Sequence, residues 1–149
     1  MTMAQDSVNQ WLAARVPGAQ LDDSGVAAVR RDEDTVVLVE VPSDGDTGHL
    51  CALIAPLPEE AREAALLAAL ELNRFGRPLG GCWIAWENDI QMLTLCANVD
   101  VPASDAIAFG NMLDNFMIAL DQARAIFIRQ HDGDNAMAAA ISSGMGLRG

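Results

Sequence analysis

The sequence predicts an α+β domain in which three helices pack on an antiparallel, twisted sheet, in the order α-β-β-β-α-β-β-α. Three observations predict this class. Apolar residues recur at helical spacing in three segments, they alternate or run together in five short segments between those, and turn-forming residues separate neighbouring short segments. With 149 residues, the chain is long enough for one domain with its own hydrophobic core.

The first part of the chain predicts one helix and three strands. Val8, Trp11, Leu12 and Val16 share one face of a helix over residues 2–16, which Pro17-Gly18 ends. The three strands are predicted at residues 26–31, 35–41 and 49–57, and the first two form a hairpin across a charged turn.

A second helix is predicted from Pro58 to Phe75, with Gly76 as its cap. Proline favours the first position of a helix, and the glutamates that follow it interact well with the positive end of the helix dipole. The middle of this helix, residues 64–70, is apolar all the way round, whereas a helix covered on one face would show a polar stripe. We therefore expect a second surface to cover it.

The next two strands are predicted at residues 81–87 and 90–99, with Asn88-Asp89 as a tight turn between them. That turn would place Ile84 opposite Leu93. Both faces of this hairpin are apolar, whereas a sheet with one face in water alternates apolar and polar residues. The hairpin is therefore also expected to be covered on both sides.

The last helix begins after Ser104, a favourable N-cap, and is expected to run for six or seven turns. Its core-facing stripe consists of Phe109, Leu113, Phe116, Leu120, Ala123 and Phe127. We expect residues 1–131 to form the domain and residues 132–149 to be a loosely ordered tail.

The charge of the chain argues against nucleic-acid and membrane partners. Nine basic residues against twenty-one acidic ones give a net charge of −12, and nucleic acids and anionic membranes attract positively charged surfaces. An apolar fraction of 51% excludes intrinsic disorder for most of the chain.

The segments of the chain predict a cytoplasmic protein. No apolar run approaches the roughly 20 residues that a membrane-spanning helix needs, and the first residues lack the pattern of a secretory signal. Cys51, Cys82 and Cys96 lie in apolar, strand-like contexts that suit reduced, buried thiols, with Cys82 and Cys96 as candidate neighbours across the second hairpin.

No catalytic, cofactor or metal site is predicted. The pattern GxGxxG at residues 144–149 ends the chain, so no strand and helix flank it to hold a phosphate. His49 and His131 are isolated, and no cysteine spacing is typical of a metal site. A Cys51–His49 pair on one strand face is better explained by packing than by catalysis. We therefore expect no enzymatic activity.

Several segments together resemble the class I type III secretion chaperones, the Tir-chaperone (CesT-like) family of bacteria. The resemblance covers about Val8 to Gln130 and adds to the small size, acidity and element order. It is carried by the leucine-rich helix that ends in Asn (66–73), the glycine-led strand with an acidic turn (80–89), Met92-Leu93-Thr94-Leu95 and the apolar stripe of the last helix.

This resemblance implies a type III secretion chaperone-like fold and a homodimer without enzymatic activity. In such a protein, the N-terminal segment of one or more secreted effectors binds to the dimer in extended form and is later passed to the secretion ATPase. The covered helix and hairpin predicted above agree with a homodimer, because a twofold partner is the commonest kind.

Two groups of apolar residues are candidates for these contacts. For the dimer interface we expect Leu66, Leu67, Leu70, Trp83, Ala85 and Met92. For effector binding we expect Trp11, Leu12, Val36 and Leu38, although core packing explains Trp11 and Leu12 equally well. Val36 and Leu38 share a strand face with Glu40, whereas the other face of that strand is wholly apolar and is expected to be core.

Three other functions fit parts of the sequence. A regulator of the same fold, outside secretion, would bind a folded partner. An acidic decoy that mimics nucleic acid would bind a basic protein in a salt-sensitive way. A small enzyme would show a polar cleft with perturbed acids.

Overall fold

Three helices and five strands follow one another in the predicted order in the computed structural model, which describes residues 1–74 and 78–142 and, within them, side chains as far as residue 128. The helices are α1 (Met3–Arg15), α2 (Arg62–Leu72) and α3 (Ala106–Ser142), and a short 3₁₀ turn (Glu59–Ala61) precedes α2. The strands are β1 (Val26–Asp32), β2 (Thr35–Glu40), β3 (Thr47–Pro56), β4 (Trp83–Glu87) and β5 (Met92–Asp100). This confirms the predicted fold class.

The five strands form one antiparallel sheet in the order β1-β2-β3-β5-β4. Strands β1 and β4 are therefore the two edges. The longest pairing joins β3 to β5, from Thr47 opposite Asp100 to Pro56 opposite Met92, with an irregularity between Leu53 and Ala55. Alternate residues of every strand face opposite sides of this sheet.

One side of the sheet, here called the inner face, carries the core. The predicted core face of β2, Val37 and Val39, is buried there together with Leu50 and Leu95 of the central strands. The predicted stripe of α3, from Phe109 to Phe127, is also buried, which confirms it. Helix α1 adds Val8 and Leu12 to the same core.

Helices α2 and α3 differ in length from their predictions. Helix α2 ends at its C-cap Asn73, whereas a helix as far as Phe75 was expected, and Phe75 and the predicted cap Gly76 lie outside the described residues. Helix α3 continues to Ser142 because the alanines at 136 and 138–140 favour helix strongly enough to offset the glycine at 133. The division of the chain at residue 131 stays a prediction.

The turn of the β4–β5 hairpin was predicted wrongly. Glu87 pairs with Met92, so four residues, Asn88 to Gln91, make the turn, and Gln91 takes a positive φ of 54°. The pairing is therefore displaced by two residues from the predicted register. Because side chains alternate with a period of two, each residue nevertheless stays on its predicted face.

Gly25 fixes the path of the chain into β1. It has a φ of +81°, and a Cβ built there would lie 2.4 Å from the carbonyl oxygen of Val41. The Gly25 N–H donates to Asp22, and its carbonyl accepts from Val41 N–H at 2.8 Å. The loop between α1 and β1 therefore packs directly against the end of β2.

We expect Gly25→Ala to lower the free energy of unfolding by about 2–4 kcal/mol, since backbone strain and a steric clash both oppose the new methyl group. Gly18→Ala is a matched control, because Gly18 has nearly the same φ, +82°, but has open space around its Cβ position. It should lose only about 1 kcal/mol. Denaturant unfolding of both variants measures the difference, and equal losses would contradict the proposed clash.

Candidate interaction surfaces

Helix α2 exposes two of its leucines and buries two of its alanines. Leu67 and Leu70 are 58% and 67% exposed, whereas Ala65 and Ala69 are buried against the rest of the chain. Single exposed leucines are ordinary, but two on one helix beside the half-buried Leu66 form a patch. The second side of α2, which the sequence predicted to be covered, is open in the single chain.

Asn73, the residue that ends α2, holds this helix against the edge of the sheet. Its side-chain amide donates to the carbonyl of Ile84 at 2.9 Å, and its side-chain oxygen accepts from Ile84 N–H at 2.7 Å. Both bonds occupy backbone groups of β4 that point away from β5. Asn73 thus takes the place of a neighbouring strand at the centre of this edge.

Arg62 makes a second contact between α2 and the hairpin. Its guanidinium lies 5.3 Å from the centre of the Trp86 ring and donates to the Gln91 side chain at 2.5 Å. A cation over an indole face is an attractive arrangement. The start and the end of α2 are therefore both fixed to the β4–β5 hairpin.

The outer face of the sheet, opposite the core, carries a row of apolar and sulfur-containing side chains. The pairing of all five strands aligns Ala28, Leu38, Cys51, Cys96 and Trp83 in a single row. Leu38 is 44% exposed, Trp83 is exposed, and the two cysteines are half-buried. This outer row reaches from edge strand β1 to edge strand β4.

The predicted dimer residues occupy two elements at one end of this arrangement. Leu66, Leu67 and Leu70 lie on α2, whereas Trp83, Ala85 and Met92 lie on the outer face of β4 and β5. Because α2 packs beside β4, both groups are at the same edge of the sheet. Their role in a dimer stays a prediction.

The four predicted effector residues are not brought together. Val36 and Leu38 lie on the outer face, partly and largely exposed. Trp11 is half-buried against Phe109, with ring centres 5.6 Å apart, and Leu12 is fully buried. Leu12 therefore belongs to the core and presents no surface to a partner, because the helical face that it shares with Val8 packs onto α3 and the sheet.

Leu53 is an exposed apolar residue of the outer face that the sequence analysis did not select. It pairs with Thr94 of β5 and stands two residues after Cys51 on the same strand face. Period-two alternation from Cys51 is a signal that could have found it.

An apolar cavity of about 410 Å³ lies where β3 ends and α2 begins. Its walls include Pro56, Leu57, Ala65, Ile90 and Phe127. The described residues that line it include no acid and no histidine, which suits an apolar side chain.

The cysteines are all free, and Cys96 has Cys51 as a neighbour in addition to its predicted neighbour Cys82, whose pKa burial and Cys96 both raise. Cys96 lies opposite Cys51 on β3 and opposite Trp83 on β4, while Cys82 precedes β4. A hydrogen bond from Cys51 lowers the pKa of the Cys96 thiol to about 7, and the same interaction raises the pKa of Cys51. His49 lies on the same strand as Cys51, but its Nδ1 is 2.9 Å from the Asn98 side-chain oxygen.

The described parts of the chain lack both a metal-binding cluster and a membrane-spanning helix. Across residues 1–74 and 78–128, no three histidine, cysteine or acidic side chains converge in a way that could hold a metal ion. Within the described helices, none is both long enough and apolar enough to cross a membrane.

Solved structures with the same fold include a type III secretion chaperone and a proposed transcription regulator. The ExsC–ExsE complex matches with a TM-score of 0.66 and 19% identity, over 84% of this chain and 96% of the other. The Yersinia pestis type III secretion chaperone SycH, solved in complex with a stable fragment of YscM2, matches with a TM-score of 0.63 and 14% identity, over 81% and 99%. YbjN from E. coli, a proposed transcription regulator, matches with a TM-score of 0.56 and 12% identity, over 84% and 92%.

At identities of 12% to 19%, these structures show a shared fold only. The evidence for family membership is a match of the sequence itself. No curated protein matches the chain in sequence. The sequence profile of the Tir chaperone protein (CesT) family matches residues 12–140, which is most of the chain and nearly the span of the resemblance, Val8 to Gln130. The chain therefore belongs to the Tir chaperone protein (CesT) family.

Proposed function

We propose that this chain is a cytoplasmic, homodimeric chaperone that binds the N-terminal segment of one or more secreted effectors in extended form. It keeps that segment soluble and able to be secreted, and the secretion ATPase then receives it. The observation that carries the proposal is the uncovered apolar outer row, Ala28 to Trp83, on a chain whose composition is otherwise strongly acidic.

The outer face is suited to an extended segment because its exposed apolar positions are spread out rather than gathered in one deep pocket. Leu38 and Leu53 stand on different strands, and Trp83 stands at the far edge. An extended peptide can place alternate side chains on such positions while its main chain pairs with a free sheet edge. Strand β1 offers that edge, since Asn73 already occupies the centre of the β4 edge.

The dimer is supported by the leucine patch of α2. Two largely exposed leucines beside a half-buried third favour a second apolar surface, and a twofold arrangement would place the same patch of a second copy against it. The proposed absence of enzymatic activity agrees with the apolar character of both surfaces. The relatives described as complexes, SycH with YscM2 and ExsC with ExsE, support a protein partner.

A second candidate function is regulation by binding a partner outside secretion. The fold likeness to the proposed transcription regulator YbjN favours it, because it shows that this architecture also occurs in a protein of that kind. The two functions differ in the partner: an unfolded N-terminal segment in one case and a folded protein in the other.

Native co-purification tests the proposal. We expect the tagged full chain, expressed in its own organism, to retain a polypeptide whose protected fragment maps to the N-terminal part of a secreted protein. The segment should be cut by protease between its contact points, because it is extended. Light scattering of the complex should give two copies of the chaperone. A folded partner that resists protease as a whole would favour regulation and contradict the chaperone proposal.

A binding partner found in this way allows calorimetry on purified components. We expect a large negative heat-capacity change, since an extended segment buries apolar surface as it becomes ordered. A heat-capacity change near zero would contradict binding through the apolar outer row.

A further inference from the structure

Cys51 and Cys96 stand directly opposite each other at the centre of the sheet, on the outer face. They pair in register between β3 and β5, and both are partly accessible to solvent. Cys51 is also opposite Leu38, and Cys96 is opposite Trp83. The two thiols therefore form the middle of the outer row.

The hydrogen bonds at the sheet edge show which kind of pair these cysteines make. The N–H and C=O of Ile84 bond to Asn73 and so point away from β5. The N–H and C=O groups of successive residues in a strand point in opposite directions, so those of Trp83, next to Ile84, point toward Cys96. The N–H and C=O groups of Cys96 in turn point toward β4 and away from β3. Cys51 and Cys96 are thus a non-hydrogen-bonded pair across β3 and β5.

Pairs of this kind have the closest side chains in an antiparallel sheet. Their Cα atoms are about 4.5 Å apart, which lies at the short end of the range of about 4.4–6.8 Å that disulfides span. The in-register pairing already holds the two side chains close together, and each thiol shifts the pKa of the other. A disulfide could therefore form here without a rearrangement of the strands.

The two thiols are chemically unequal. The hydrogen bonds that Cys96 receives from Cys51 and Thr94 lower its pKa to about 7, so a large share of Cys96 is thiolate near neutral pH. The Thr94 hydroxyl lies 3.9 Å from the Cys96 sulfur. The pKa values of Cys51 and Cys82 are raised, Cys82 chiefly by burial. Because the thiolate is the reactive form, Cys96 is suited to attack first and Cys51 to react second.

We propose that Cys51 and Cys96 are a redox-active dithiol, which a low-molecular-weight disulfide converts reversibly into a disulfide across β3 and β5. The Cys96 thiolate attacks one sulfur of the external disulfide, whose S–S bond breaks to release one thiolate. Cys51 then loses its proton and attacks the Cys96 sulfur, which forms the Cys51–Cys96 bond and releases the second thiolate. The chain gives up two electrons and two protons, and the external disulfide is reduced to two thiols.

The redox reaction needs only Cys51 and Cys96 and does not depend on what the outer face binds. A disulfide here would be partly exposed and held at a short Cα separation, and exposed or strained disulfides are the ones that are readily reduced again. The site would therefore respond to the thiol balance of its surroundings rather than remain permanently oxidised.

Oxidised glutathione is the probe for the test. The full-length chain is equilibrated over a series of ratios of oxidised to reduced glutathione, remaining thiols are alkylated, and peptides are mapped without reduction. We expect a peptide that joins Cys51 to Cys96 within one chain, with Cys82 alkylated. Excess reduced glutathione should restore all three thiols.

Three serine variants separate the roles of the cysteines. Cys82→Ser, the matched control, should form the same disulfide. Cys51→Ser should stop at a mixed disulfide between Cys96 and glutathione. Cys96→Ser should react with oxidised glutathione at least about tenfold more slowly at pH 7, because the reactive thiolate is lost. Circular dichroism confirms that each variant is folded. A disulfide that includes Cys82, a bond between two chains, or a Cys51–Cys96 pair that stays reduced in oxidised glutathione alone would overturn the proposal.

Discussion

A chain that carries Leu67→Asp together with Leu70→Asp is expected to be a monomer at micromolar concentration, whereas the unchanged chain is expected to be a dimer. Both leucines are largely exposed in the single chain, so the monomer should fold normally with aspartate at either position. In the proposed interface, the two carboxylates would be buried without partners, at a cost of several kcal/mol each. That cost corresponds to roughly a thousandfold or greater loss of dimer affinity.

Ile118→Asp is the matched control for this experiment. Ile118 is 57% exposed, almost the same as Leu67, but lies on α3 away from α2. Light scattering after size-exclusion chromatography should show a dimer for this variant. A monomeric unchanged chain, or a double variant that remains dimeric, would show that the α2 leucines do not form the interface.

Leu38→Asp is expected to increase the rate at which a bound effector segment dissociates by about a hundredfold, because a buried unpaired charge costs several kcal/mol, while association changes little. Val36→Asp should act in the same direction but less strongly, since Val36 is less exposed in the free chain. Higher salt should instead slow association and leave the dissociation rate nearly unchanged. A Debye length of about 8 Å at physiological ionic strength screens the long-range field of an acidic chain but leaves buried apolar contacts intact.

Kinetics on an immobilised segment measure both effects. Ile107→Asp provides the control, because Ile107 is an exposed apolar residue at the start of α3, outside the outer face. It should alter neither rate by more than a small factor. If salt mainly raises the dissociation rate and Leu38→Asp is silent, the chain binds through its acidic surface, as a nucleic-acid mimic would.

Local sequence patterns were sufficient for the fold class and for the inner face of the sheet. Period-two alternation placed Val37 and Val39 in the core, and the stripe from Phe109 to Phe127 identified the core face of α3. Even the wrong turn at Asn88 left the faces of β4 and β5 intact, because the register error was an even number of residues. Residues 64–70 of α2 are apolar on every side of the helix, which indicated that a single chain leaves one of those sides exposed.

Contacts between residues distant in sequence were decided only by the tertiary structure. Periodicity assigns a residue to a face but does not say which strand lies beside it, and β3 pairs with β5 rather than with β4. That pairing placed Cys96 opposite Cys51 and joined Leu38 to Trp83 in one row. It could not be predicted because strand order depends on how the whole chain buries its apolar faces, whereas side-chain alternation is a local property.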